Sequence, residues 1–325
     1  MAAFTISSAF QAVHYLFKSL APSSDSKTEA FPAYFNTTID KFLQDLGHWP
    51  ESLVPEDNET LEALRKEFKE YDDGPWFDKM CRESANLAEL PYPFHSAESK
   101  LMIARFTWFL LYVDDLGQRL PKSLEGFQQA IVTKGASPEG TYLQAFRDHL
   151  ADWYKLWEPL PANSINIAGM EFINGWLLEK TPSIHDMKLI EPGITWPNFL
   201  RTKTGSGSSY AFMIFPKELN INMSHYIQVM DDMILFVNYG NDIFSLYKEE
   251  LNGDTDNFIH NRAFYTKKSI PETLKEVCDE TVEACNRVTR GVAGTPAEAA
   301  WKRFLNGYLA FHLKIQRYRL EEIGY

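Results

Sequence analysis

Residues 108–120 read WFLLYVDDLGQRL, and what they form decides the fold. From Phe106 to Val113 every residue is aromatic, aliphatic or Thr, and two carboxylates, Asp114 and Asp115, follow at once. A run that is apolar on every side reads as a helix in the middle of a bundle. The carboxylates then fall at its C-terminal end, where the backbone dipole already carries partial negative charge and acids are disfavoured. A helix dipole and two paired acids together make a negative site that divalent cations satisfy. Gln118, one turn beyond Asp114, can hydrogen-bond but adds no charge.

Outward from this stretch, apolar residues recur at helical spacing in most windows and strand signals are scarce. The pattern predicts helices over 34–46, 57–70, 76–88, 97–115, 123–134, 139–156, 162–179, 196–204, 208–215, 222–251, 271–290 and 296–322. Prolines such as Pro91, Pro121, Pro159, Pro182 and Pro271 fall between them, as short loops joining helices require. The class is all-α. Residues 1–30 read as an N-terminal arm and linker, APSSDSKTEA at 21–30 being small and polar, and 31–325 as a single catalytic domain.

The 325 residues carry a net charge of −12, which argues against a nucleic-acid partner. Local cations or metal ions can still hold a polyanion against that field. The N-terminal twenty residues lack a basic segment and a continuous apolar run, so neither targeting nor stable membrane insertion is expected. Three cysteines, Cys81, Cys278 and Cys285, are odd in number and not spaced as a zinc site, which fits a reducing cytoplasm. In that setting the glycosylation pattern at Asn36 is idle.

The second apolar helix, 222–251, carries NDIFSLYKE at 241–249. Asn241, Ser245 and Glu249 fall at i, i+4 and i+8, so they share one stripe about 12 Å long. All three present oxygen, with a single negative charge among them. Such a set suits a hard cation that keeps positions for water or phosphate oxygens, which is Mg²⁺ rather than Zn²⁺. A solvated face is the bland alternative, and the apolar surroundings speak against it. Two other Asp-Asp pairs carry less weight: Asp72–Asp73 lies in a charged stretch, and Asp231–Asp232 lies off the stripe of Asn241. Gly205 and Gly207, in TKTGSGSSY at 202–210, would break a helix and free backbone carbonyls there.

These residues resemble the class I terpene synthases, and most nearly the fungal trichodiene synthase family of sesquiterpene cyclases. The likeness is carried by FPAYFNTT at 31–38, VDD at 113–115, NFLR at 198–201, FPKE at 215–218, NDIFSLYKE, and NGYLAFHLKIQRYRLEEI at 306–323. It implies a helical bundle with a central cavity and Mg²⁺-dependent ionisation of a linear isoprenyl diphosphate, farnesyl or geranyl diphosphate, to a terpene and diphosphate. It implies that Asp114 binds two of three Mg²⁺ ions, Mn²⁺ being a substitute, and that Asn241, Ser245 and Glu249 bind the third. Arg201, Lys248, Arg317 and Tyr318 would donate to the diphosphate, and Asp115 would pair with Arg317 on closure. Thr204 and Gly205 stand at the linker and effector positions after Arg201, where many relatives have Asp or Asn as linker. Thr107, Leu111, Tyr308 and Phe311 would line the cavity. His312 reads as a satisfied core histidine, with proton transfer as the other role. Because relatives are often dimers, the implied protein partner is a second copy. The alternatives are a chain-elongating enzyme of the same fold, an early water quench giving an acyclic alcohol of the linalool or nerolidol type, and a non-catalytic helical scaffold or binding protein.

Overall fold

Four helix starts among the described residues are set by capping side chains. Asn58, Ser96, Asn257 and Ser269 each accept a hydrogen bond from the backbone N–H three residues on, which satisfies one of the donors a helix start leaves unpaired. At Ser269 the Glu272 side chain returns the bond and completes a capping box. Pro75, Pro159, Pro182, Pro197 and Pro271 occupy first-turn positions, where a missing N–H costs nothing.

The computed structural model describes residues 24–47, 58–69, 71, 74–133, 135 and 141–325. Its helices are α1 (Ser24–Asp45), α2 (Glu59–Phe68), α3 (Pro75–Glu89), α4 (Ala97–Leu116), α5 (Pro121–Thr133), α6 (Thr141–Leu156) and α7 (Pro159–Lys180). They continue as α8 (Pro182–His185), α9 (Trp196–Thr204), α10 (Gly207–Met213), α11 (Met230–Asn252), α12 (Phe258–Thr266), α13 (Ile270–Val292) and α14 (Ala297–Lys314). No strand occurs among the described residues. The chain divides into units of residues 1–41 and 42–325. In the first, the Thr37 and Thr38 hydroxyls fold back onto the carbonyls of Ala33 and Tyr34 within α1.

In the second unit α4, α11 and α14 are largely buried. α3 packs along α4, α13 along α11, and α10 against both α7 and α11. Trp108 of α4 is fully buried, its ring stacked on Phe68 at 3.9 Å, and Phe109 stacks on Phe146 at 4.9 Å. Offset aromatic pairs add to the area they bury, which anchors α4 on that side. The side of α4 that carries Thr107, Leu111 and Asp114 faces a cavity instead.

Three expectations are corrected. Residues 24–30, read as linker, are helical, because Lys27, Glu29 and Ala30 are good helix formers with no glycine among them. The helix expected over 222–251 starts only at Met230. Before it, Asn222 accepts from the Ser224 N–H, a local bond that competes with the helix, and three 3-10 turns occupy 217–229. The helix expected over 296–322 stops at Lys314, where Ile315 turns extended (φ −90, ψ 130) before a 3-10 turn over 316–318. α12 was not expected; its signal is the N-cap Asn257. The readings made for residues 1–20 and for Asp72–Asp73 lie outside the described residues.

Gly307 shows how closely α14 approaches the chain after α3. A Cβ there would stand 1.8 Å from the Leu90 carbonyl oxygen and 2.6 Å from Pro91 Cα, both backbone atoms. Gly307→Ala is expected to cost about 3 kcal/mol through overpacking, read as a lower urea midpoint at unchanged slope.

Candidate active site

The stripe on α11 faces a cavity of about 520 Å³ walled by α4, α7, α9, α11, α14 and the turn at 316–318. All the residues assigned from the sequence lie on its wall: Asp114, Asp115, Thr107, Leu111, Arg201, Gly205, Asn241, Ser245, Lys248, Glu249, Tyr308, Phe311, Arg317 and Tyr318. Their dispersal over 211 positions of sequence makes that convergence informative, Thr107 and Tyr318 being the extremes.

Acidic groups dominate the polar wall. Asp114 keeps 52% of its side chain open, yet protein surrounds it, and burial followed by the charge of Asp115 raises its carboxyl above the usual range. Burial pushes Glu249 up to about 7. It does the same to Glu179, at the end of α7, with the charge of Asp114 adding to it. Ser245 and Glu249 make no side-chain hydrogen bond or ion pair among the described residues, so their oxygens remain available. No group of three or more His, Cys, Asp or Glu able to hold a metal occurs among the described residues. Any cation site on α11 therefore depends on the amide of Asn241 and the hydroxyl of Ser245 as well as on Glu249.

Two guanidiniums sit among these acids. Arg317 Nη1 lies 3.0 Å from Glu83 Oε2 and 3.7 Å from Asp115 Oδ2, while Nη2 lies 3.5 Å from Asp114 Oδ2. The expected Asp115–Arg317 contact is thus present but is the longest of the three. Asp115 is instead held by Trp76, whose indole N–H donates to Oδ2 at 2.9 Å. Arg201 is turned onto α11. Its Nε donates to Asp242 Oδ2 at 2.8 Å, and Nη2 donates to the Asn238 carbonyl at 2.8 Å and to Asn241 Oδ1 at 3.3 Å. Burial raises the Asp242 carboxyl to about 6 despite this pairing. Lys248 Nζ lies 5.4 Å from the centre of the Tyr318 ring, and burial lowers its pKa.

Sequence reasoning missed Glu83, Asp242, Glu179 and Trp76. Glu83 could have been flagged as an acid among the apolar positions of α3, where it is 4% exposed. Gln118 is not on the cavity wall; its amide donates to the Asp115 carbonyl at 2.9 Å.

The expected helix break is present. α9 ends at Thr204, Ser206 adopts a left-handed conformation (φ 48), and α10 starts at Gly207. A Cβ at position 205 would meet Asn238 Oδ1 at 2.2 Å, and one at 207 would meet it at 2.5 Å, so glycine is required on both sides. Deeper in, the Tyr308 hydroxyl donates to the Val237 carbonyl at 2.5 Å, and Tyr210 donates to Thr107 Oγ1 at 3.2 Å. These bonds satisfy the phenols within the protein. No helix among the described residues is long and apolar enough to cross a membrane.

Residues 92–325 match the family model described as trichodiene synthase (TRI5). The chain is 32% identical over 291 residues to terpene synthase BipA of Cochliobolus sativus, a match spanning 86% of this chain and 87% of that protein. It is 30% identical over 314 residues to longiborneol synthase CLM1 of Gibberella zeae, spanning 93% and 91%. Among solved structures, linalool/nerolidol synthase from Streptomyces clavuligerus in complex with 2-fluorogeranyl diphosphate aligns with a TM-score of 0.61 and 14% identity, over 80% of this chain and 99% of that one. At that identity the likeness speaks for the fold.

The buried titratable groups set a pH dependence for the metal-free protein. Burial holds His95, His149 and His312 neutral with pKa values of about 4, 3 and 3, so in mild acid the unfolded chain binds more protons at these positions. Asp242, Glu179 and Glu249 work the other way, because the folded state keeps their protons to about pH 6 or 7. The two sets offset each other below roughly pH 7; above that most unfolded imidazoles are neutral, and of these six groups the two glutamates are the ones still titrating. In chelator the melting temperature is expected to fall between about pH 7 and 8, and Glu179→Gln combined with Glu249→Gln should flatten that fall.

Proposed function

The chain belongs to the trichodiene synthase family of class I terpene synthases, and on that premise we propose that its cavity ionises farnesyl or geranyl diphosphate with the help of Mg²⁺. The observation that carries this reading is the meeting of Asp114 with Asn241, Ser245 and Glu249 on one cavity wall, beside Arg201, Lys248, Arg317 and Tyr318. The volume of about 520 Å³ falls within the roughly 300–1,000 Å³ of small-molecule sites.

The donor set fits a hard divalent cation. It consists of oxygen atoms, the Ser245 and Glu249 side-chain oxygens have no partner among the described residues, and the raised carboxyls of Asp114 and Glu249 mark a place short of positive charge. Asp114 would hold two of three Mg²⁺ ions, and Asn241, Ser245 and Glu249 the third, with Mn²⁺ able to substitute. Bound there, the ions would supply electrophilic stabilisation of the charge that builds on the leaving diphosphate.

The chain's own residues account for the rest. Arg201, Lys248, Arg317 and Tyr318 donate to diphosphate oxygens, and the forked guanidiniums match those oxygens in pairs. As the C–O bond breaks, its electron pair leaves with the diphosphate and an allylic cation remains. Tyr308 and Phe311 line the cavity with aromatic rings, whose faces attract cations, while Leu111 and Thr107 help keep bulk water out. Loss of a proton or capture of a water ends the reaction.

Incubation with each diphosphate and Mg²⁺, followed by gas chromatography, tests the reading. A terpene product supports it. Absence of diphosphate release with both Mg²⁺ and Mn²⁺ would overturn it, as would chain elongation when isopentenyl diphosphate is added. Asp114→Ala is expected to lower kcat/KM at least about a hundredfold. Gln118→Ala, away from the cavity wall, should leave most of the activity; equal losses would break the assignment.

A further inference from the structure

The side-chain amide of Asn241 can be seated two ways, and only one offers oxygen to a cation. Three groups surround it. Arg201 Nη2 lies 3.3 Å from Oδ1, and on the other side Tyr318 Oη lies 3.2 Å and His312 Nε2 3.5 Å from Nδ2. A guanidinium only donates, so the atom facing Arg201 is the oxygen. His312 Nδ1 lies 2.8 Å from the Tyr308 carbonyl, which only accepts, so Nδ1 carries the ring proton. Nε2 is then left with a lone pair that calls for a donor, and the Asn241 NH₂ supplies it.

The imidazole has little freedom to turn away. It is 1% exposed, with Tyr308 at 4.3 Å, Tyr318 at 4.6 Å and Phe244 stacked at 5.2 Å between ring centres. Seating the amide the other way would set NH₂ against the Arg201 N–H and oxygen against the Nε2 lone pair. Both contacts would be repulsive in a buried setting.

We infer that His312 is a positioning residue, whose Nε2 locks the Asn241 amide so that Oδ1 is the atom offered to a divalent cation. The inference rests on the metal reading proposed above and adds to it a group that acts through Asn241 rather than on the ion itself. Oδ1 has two lone pairs, and Arg201 is its one partner among the described residues. The arrangement is the amide counterpart of an outer-shell hydrogen bond that orients a metal ligand, which is worth about 10–100-fold in affinity.

The test is Mn²⁺ binding to the full chain with inorganic diphosphate present, with free Mn²⁺ read by electron paramagnetic resonance. If wild type and Asn241→Ala bind Mn²⁺ equally well, the metal reading itself fails. If wild type binds more tightly, His312→Phe, which keeps the ring packing without the acceptor, is expected to weaken Mn²⁺ at least about tenfold. Unchanged affinity in that variant would overturn the inference. Asn241→Asp offers two equivalent oxygens and needs no orientation, so adding His312→Phe to it should cause no further loss. A second tenfold loss in that background would also overturn the inference, by showing a general packing effect. His312→Leu likewise lacks the acceptor and serves if the phenylalanine variant does not fold.

Discussion

Three helices end at the same cavity, and each brings carboxylates to its negative end. α4 delivers Asp114 and Asp115, α7 delivers Glu179, and α11 delivers Glu249 near its last turn. The dipoles of all three helices add to the field these acids create. Burial then removes the water that would otherwise screen them. The result is seen in the raised carboxyls of Asp114, Glu179 and Glu249. The rest of the site is arranged around that surplus of negative charge.

Arg317 and Arg201 absorb part of it, and in doing so are themselves engaged. Arg317 contacts Glu83, Asp114 and Asp115; Arg201 contacts Asp242. A polyanion entering the cavity competes with these carboxylates for the same guanidinium forks. Divalent cations bound there would reverse the balance, since a carboxylate bound to a metal has less hold on an arginine. On the function proposed above, metal and diphosphate would be coupled through the two arginines, with no need for direct contact between distant parts of the chain.

Much of this could be read from the sequence because it is local. The Asn241, Ser245 and Glu249 stripe follows from helical spacing alone, and the buried run before Asp114 fixes which helix lies in the core. Glu83 escaped notice because its role depends on packing against Arg317, 234 positions away. Asp242 sits inside the NDIFSLYKE stretch, but its purpose appears only when α9 lays Arg201 across α11. The 3-10 turns at 217–229 and the break at Ile315 were hidden by continued apolar spacing. A single side-chain bond at Asn222 and the extended backbone at Ile315 settled those boundaries.

Gln118 illustrates how backbone demands shape such a site. α4 stops at Leu116; the Gly117 N–H closes onto the Val113 carbonyl, and the carbonyls after it run out of α-helical donors. The Gln118 amide donates to one of them, that of Asp115, at 2.9 Å. An ionised acid at this position could not donate, and it would add another charge beside Asp114 and Asp115. Glutamine therefore exchanges a potential metal ligand for a closed helix end. The two carboxylates it follows gain a firmer backbone, and the Trp76 indole fixes Asp115 from the other side. Asp114 is left as the acid of this pair with its side chain half open to the cavity.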